Sequence, residues 1–261
     1  MTSTSAGSSV LNIVVPMAGR GSRFANAGYP LPKPLIPVHG VAMIQLVIAN
    51  VRPRTPHRFV FLCLEEHIQQ HDVAGRLRTW APGSEIVVVD RVTEGAACTV
   101  LLARKHIDNG EPLMIVNSDQ WVDIDINDYL SAFERSRHDG FIMTMRAADP
   151  KWSYVRLDSR GNVSEVVEKQ VVSNEATVGI YNFRRGSGFV AAAEEMIAAD
   201  KRVNGEFYVA PAYNEMLRKG LTVGYYNIGE VGAGMYGLGT PEDLTLFASL
   251  PLSKRIATAP R

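Results

Sequence analysis

Short apolar runs rich in branched residues alternate, through the first half of the chain, with stretches whose apolar positions recur at helical spacing. The runs 10–15, 59–64, 86–89 and 113–116 predict buried strands, and residues 42–51, 67–80 and 96–106 predict the helices between them. Strands and helices in that order predict a mostly parallel sheet wrapped by helices, with ligands gathering at the carboxyl ends of the strands. Beyond Asp119 the rhythm changes. Residues 141–146, 153–158, 163–168 and 176–183 predict strands, residues 189–199 and 211–219 predict helices, and a last strand over 221–228 precedes a short helix capped by Thr240 with Pro241 as its first residue. Residues 1–9 and 251–261 read as a disordered and a flexible tail around one domain spanning 10–250. The sequence contains no internal repeat and no linker long enough to mark a boundary.

The first strand breaks at once into Pro16-Met-Ala-Gly-Arg-Gly-Ser-Arg-Phe24, and Pro32-Lys-Pro34 follows closely. Gly19 and Gly21 let the backbone turn sharply and present its N–H groups to an anion, beside Ala18. Ser22 adds a hydroxyl donor and Arg23 a fixed fork of donors suited to phosphate oxygens. Lys33, held between two prolines, supplies a second, compact positive charge. Phosphate is the expected ligand. A dinucleotide fingerprint would want a third glycine where Phe24 stands, so the glycines alone also fit a plain turn; the arginine and the Pro-Lys-Pro at this spacing favour the phosphate loop.

These residues resemble the signature of the sugar-phosphate nucleotidyltransferases, the nucleoside-diphosphate-sugar pyrophosphorylases, written G-x-G-[TS]-R followed by P-K. The resemblance implies a Rossmann-like, glycosyltransferase-A-like α/β domain with a mostly parallel mixed sheet flanked by helices. It also implies transfer of a nucleotidyl group from a nucleoside triphosphate to a small phosphorylated acceptor, with magnesium and release of pyrophosphate. Arg23, Lys33 and Asp119 then take the catalytic positions.

Three further segments carry candidate chemistry. Asn117-Ser-Asp-Gln120 ends the fourth strand, where Asp119 would hold Mg2+ beside Ser118, or merely cap the next turn. Asp123 and Asp125 read as caps of the helix starting near Asn127. In Thr93-Glu-Gly-Ala96 the resemblance places the nucleobase against Gly95. A carboxylate at Glu94 accepts hydrogen bonds only, which favours cytosine or guanine and hence CTP or GTP; a helix-dipole role for Glu94 is the alternative. Finally, by resemblance, Glu168 and Asn174 contact the acceptor body, Lys169 its phosphate, Gly179 leaves room beside it, and Ser153 lies in the segment corresponding to the family's acceptor-side Tyr-Gly-Val.

Two departures from the family pattern bear on mechanism. The second metal-binding Asp of the family's W-x-D-x-G-T segment falls at Gly237 here, leaving Asp119 to suffice, or Glu230 or Asp123 to replace it, or turnover to be lost. Cys98 stands where a Gln near the base is usual. A nucleotide-binding regulatory protein without turnover and a nucleotide-sugar glycosyltransferase of the same fold are therefore the alternative readings.

Composition narrows the picture. With 261 residues, 46% of them hydrophobic, the chain can bury one large core. The 27 basic and 27 acidic residues balance, so neither a nucleic-acid surface nor a polybasic membrane patch is expected. Two cysteines, an N-terminal segment without an apolar stretch, and no run long enough to span a bilayer predict a reduced, cytoplasmic protein, with a homo-oligomer left open.

Overall fold

The computed structural model describes residues 9–259. Strand β1 (Leu11–Met17) runs through the glycine loop into a short helix α1 (Ser22–Asn26), a 3-10 turn (Lys33–Leu35) and a small hairpin of β2 (Pro37–Val38) and β3 (Val41–Ala42). Helix α2 (Met43–Val51), β4 (His57–Leu64), α3 (Glu65–His71), α4 (Val73–Trp80), β5 (Glu85–Val89), α5 (Ala96–Leu101), α6 (Arg104–Ile107) and β6 (Leu113–Val116) complete the alternating half. The second half comprises β7 (Gln120–Val122), α7 (Ile126–Ser136), β8 (Gly140–Arg146), β9 (Ser153–Leu157), β10 (Val163–Glu168), β11 (Glu175–Phe183) and α8 (Gly186–Ala198). Helix α9 (Tyr213–Arg218), β12 (Val223–Val231), β13 (Gly234–Gly237), α10 (Pro241–Ser249) and α11 (Pro251–Thr258) follow.

One mixed sheet runs in the order β5-β4-β1-β6-β11-β8-β12-β13-β7, with β9 and β10 attached beside β11. Strands β5, β4, β1 and β6 are parallel, as the alternation predicts. Strand β11 enters antiparallel between β6 and β8. Along β1 successive side chains serve opposite faces. Val14 joins the apolar cluster under α5, α8 and α9, whereas Ile13 and Val15 join the one under α2, α4 and α7. Both faces are covered, which is why these strands read as continuous apolar runs.

Three expectations are corrected. The single helix predicted over 67–80 is two, because Asp72 adopts a left-handed backbone (φ 50°) and its carboxylate caps α4 through the Gly75 N–H. The helix over 96–106 is likewise two short pieces, α5 and α6. The flexible tail is in large part helix α11: Leu252 and Ile256 pack on a third apolar cluster containing Phe24, Trp121 and Phe247, and the buried Ser253 hydroxyl meets His39 Nε2 at 2.9 Å. Residues 1–8 of the predicted N-terminal tail, and 260–261, lie outside the described residues. Among the described residues no helix is long and apolar enough to cross a membrane.

Candidate active site

The carboxyl ends of β1 and β6 converge on two neighbouring hollows. The smaller, of about 230 Å³, is built by Ala18, Gly19 and Lys33 on one side, Thr93, Gly95 and Ala96 on the other, and Ser118 beneath. The larger, of about 530 Å³, is lined by Arg23, Asp119, Ser153, Glu168, Lys169 and Gly179, among others. The larger volume is that of an ordinary small-ligand site and the smaller lies just below that range, and the two meet at the loop 117–119. There the Lys33 ammonium donates to Asp119 Oδ2 at 2.9 Å, each side chain about a quarter exposed (24% and 26%). Lys33 therefore faces the smaller hollow while its partner faces the larger one, in which Arg23 also lies.

Gly21 shapes this junction. It holds φ +62°, and a Cβ there would stand 3.1 Å from Lys33 Cβ, so the glycine allows the loop and the proline-flanked lysine to touch. Ser22 opens α1 exposed and lines neither hollow; its predicted hydroxyl contact has no counterpart in the lining.

The α5 side is set by an unusual backbone approach. Gly95 has φ +136°, and a Cβ on it would lie 2.4 Å from the Phe207 carbonyl oxygen. Paired backbone bonds, Phe207 N–H to Glu94 O and Ala97 N–H to Phe207 O, stitch the segment around Phe207 onto this loop. The Glu94 carboxylate turns away from the hollow and accepts from Arg202 at 3.2 Å, and the Arg202 guanidinium stacks over the Phe207 ring at 4.2 Å. Glu94, two-thirds exposed (66%), thus ties the loop to Arg202, lines neither hollow and makes no side-chain cap to α5. The carboxylate that does line both hollows is Glu206. Cys98 lines neither.

On one wall of the larger hollow, β9 and β10 pair so that Ser153 lies opposite Glu168. The Ser153 hydroxyl donates to the Glu168 carboxylate, which is buried. Burial pushes the Glu168 pKa above the usual carboxylate range, partly offset by the Ser153 bond and by the charge of Lys169. Lys169 (φ 55°) reaches the Tyr208 hydroxyl at 2.6 Å, a bond that raises its own pKa and keeps it charged. A raised carboxylate pKa makes the folded state lose stability as pH rises from the ordinary Glu range through the shifted one. Glu168→Gln removes that loss. The variant is expected to melt above the parent at pH 8, with the gap closing toward pH 4, while acceptor turnover falls; calorimetric melts across this range check it.

Gly179 sits within β11 at φ +82°, where the register with β8 shifts between Thr177 and Tyr181. Its carbonyl accepts from Asn117 N–H at 2.9 Å, locking the bulge to the metal-candidate loop. The bulge turns Thr177 and Tyr181 into the cavity, their hydroxyls 2.9 Å apart. Asn174, expected to contact the acceptor, is exposed at the far end of β11 and lines neither hollow; its carbonyl caps Ala147 N–H instead. Thr177, three residues further on, lines the larger cavity.

Other side chains in the larger cavity escaped sequence reasoning. Gln120, directly after Asp119, is 4% exposed and its amide nitrogen has no acceptor; Trp152 Nε1 is likewise buried without one. Lys151 stands over the Trp152 ring at 4.9 Å. Glu206 and Tyr208 also line the cavity. Asp125 caps α7 as predicted, through the Asn127 N–H, whereas Asp123 is exposed and caps nothing.

A mixed α/β sheet whose glycine loop, paired lysine and aspartate, and buried-acid–lysine wall meet at two joined hollows is a domain of the glycosyltransferase-A-like type. The family model for nucleotidyl transferases matches residues 13–221, and the chain belongs to that family. It is 23% identical over 258 residues to the bifunctional protein GlmU of Methanococcus aeolicus, covering 95% of this chain and 56% of that protein. The chain thus spans about half the length of that curated relative. Among solved structures, a nucleoside-diphosphate-sugar pyrophosphorylase from Vibrio cholerae RC9 superposes with TM-score 0.78 at 26% identity, covering 91% of this chain and 100% of that one. An inositol-1-phosphate CTP transferase from T. maritima shares the fold with TM-score 0.75 at 14% identity, covering 97% of this chain and 98% of the other.

Proposed function

We propose that this chain transfers a nucleoside monophosphate from a nucleoside triphosphate, CTP or GTP favoured, to a sugar phosphate or similar small phosphorylated acceptor, releasing pyrophosphate. The junction of the two hollows at Lys33 and Asp119 carries the reading. A triphosphate lying in the smaller hollow brings its α-phosphorus to that junction, and an acceptor in the larger one brings its phosphate to the same place. An acceptor phosphate oxygen attacks the α-phosphorus; the new P–O bond forms as the bond from the α-phosphorus to the bridging oxygen of the β-phosphate breaks, and the electron pair leaves with pyrophosphate. No protein nucleophile is needed. Lys33 and Arg23 neutralise charge building on the phosphoryl oxygens, and Lys169 with Tyr208 orients the acceptor.

Magnesium fits this site on one structural ground. A Cβ at residue 239 would stand 2.8 Å from Asp119 Oδ2, so a glycine there keeps open the space beside that carboxylate. Asp119 would hold the ion, which when bound supplies additional charge stabilisation for the triphosphate.

The test is pyrophosphate release over a panel of triphosphates and sugar phosphates. Release with at least one pair is expected; none with any pair removes the activity. Base preference is assigned to Glu206, since an acceptor-only carboxylate meets the exocyclic amine of cytosine or guanine, which uracil lacks. Glu206→Gln is expected to shift the CTP-to-UTP turnover ratio by about tenfold, whereas Glu94→Gln leaves it unchanged. The reverse pattern would return the base contact to Glu94.

A further inference from the structure

Strand β13 ends at Gly237, and the chain crosses to α10 through Leu238-Gly239-Thr240. Two contacts fix this crossing. Leu238 is fully buried and its N–H donates to the Asp119 carbonyl at 2.8 Å, while Thr240 Oγ1 accepts from Asp243 N–H at 3.1 Å and sets the first turn of α10 above it. With Leu238 turned into the core, the alternate positions 237 and 239 face the cavity. Both are glycine, and each lies under a carboxylate. A Cβ at 239 would be 2.8 Å from Asp119 Oδ2, and a Cβ at 237 would be 3.4 Å from Asp243 Oδ2.

Asp243 is half-buried in the same cavity as Asp119. Among the described residues its carboxylate has no hydrogen bond and no ion pair. A carboxylate that solvent still reaches and that no protein group engages is free to take a cation from the cavity. An independent feature points to an oxygen-bearing ligand in the same cavity. The buried Gln120 amide nitrogen, lining this cavity without an acceptor, is a donor suited to an oxygen of a bound phosphate or water. The other acids near in sequence are elsewhere: Glu230 lies 3.9 Å from Arg146, Asp123 is exposed, and neither lines the cavity.

We propose that Asp243 is the second carboxylate of the divalent-cation site, acting with Asp119 across a bare floor formed by Gly237 and Gly239. The inference rests on the nucleotidyltransferase reading for its triphosphate. A hard cation takes oxygen ligands and keeps several waters, so two carboxylates with triphosphate oxygens suffice for its shell.

Mn2+ binding followed by electron paramagnetic resonance, with and without an α,β-methylene triphosphate, tests it on the full chain. Asp243→Asn is expected to weaken Mn2+ binding by about tenfold or more, as Asp119→Asn does, with the metal-free melting temperature and metal-free analogue binding unchanged. Glu242→Gln, its exposed neighbour in the same helical turn, is expected to bind Mn2+ like the parent. Parent-like Mn2+ binding by Asp243→Asn, or an equal loss in Glu242→Gln, overturns the assignment. Pyrophosphate release by the unmodified chain reports separately on the enzymatic reading, which stands or falls whatever the Mn2+ titrations give.

Discussion

Lys33→Met is expected to cut pyrophosphate-releasing turnover by about 100- to 1,000-fold, the scale of losing one preorganised charge aimed at a developing anion, while leaving the fold intact. The methionine keeps the apolar stem that packs against Gly21, so the loop retains its contact. What disappears is the ammonium at the junction of the hollows. Among the described residues its polar partner is Asp119, and a pair that solvent still reaches is worth about 1 kcal/mol of stability. Arg23→Gln acts from the other hollow and is expected to lower turnover in the same direction, again with little change in melting temperature. Steady-state pyrophosphate release beside thermal melts checks both; full turnover in Lys33→Met would separate this lysine from the chemistry.

The parts of this site that are legible in the sequence are those where local chemistry and local geometry coincide. Gly19, Gly21 and Lys33 lie within one short stretch, and a glycine turn followed by a proline-held lysine has few other uses. Asp119 leaves an apolar strand at the ligand edge, where its position alone narrows its role. Glu94 was not legible because its partner Arg202 lies far along the chain, and nothing local distinguishes a carboxylate facing a base from one clamped to a distant guanidinium. Asp243 hid inside Thr240-Pro-Glu-Asp243, a sequence that helix capping explains completely. Asn174 was misplaced because the bulge in β11, not the Ser-Asn segment before it, decides which side chains enter the cavity.

The fold shows the same division. Strands buried on both faces, such as β1 and β4, announce themselves as apolar runs. Strands β7 and β13 have three and four residues, too few for any periodicity to register, and both exist because they pair with each other: Met235 opposite Val122, Tyr236 opposite Trp121. That pairing places the Gly237–Gly239 crossing beside Asp119, so the least predictable strands position the metal-candidate carboxylates. The break at Asp72 was equally silent, since a left-handed residue that is not glycine leaves no compositional mark.

Gly179→Ala is expected to have the largest combined effect on stability and activity. The backbone there holds φ +82°, which an L side chain adopts only under strain, and the new Cβ would stand 2.3 Å from Asn117 Nδ2 and 2.5 Å from Gln120 Oε1. Both neighbours are hemmed in. Gln120 is buried, and the Asn117 backbone is tied to the Gly179 carbonyl itself. Relief therefore requires the β11 bulge or the 117–120 loop to move, at a cost of about 2–5 kcal/mol. Movement of the loop displaces Asp119, which follows Asn117 by two residues, and a shift near 1 Å at a reacting centre lowers turnover by about 100-fold. Gly161→Ala provides the comparison: its φ of +81° nearly matches, but no atom lies within 4 Å of the added Cβ. It is expected to lose only the conformational part of the stability and none of the activity. Equal melting temperatures and equal turnover for the two variants would show that the contacts made by the added methyl, and with them the bulge as a constraint on Asp119, are unimportant.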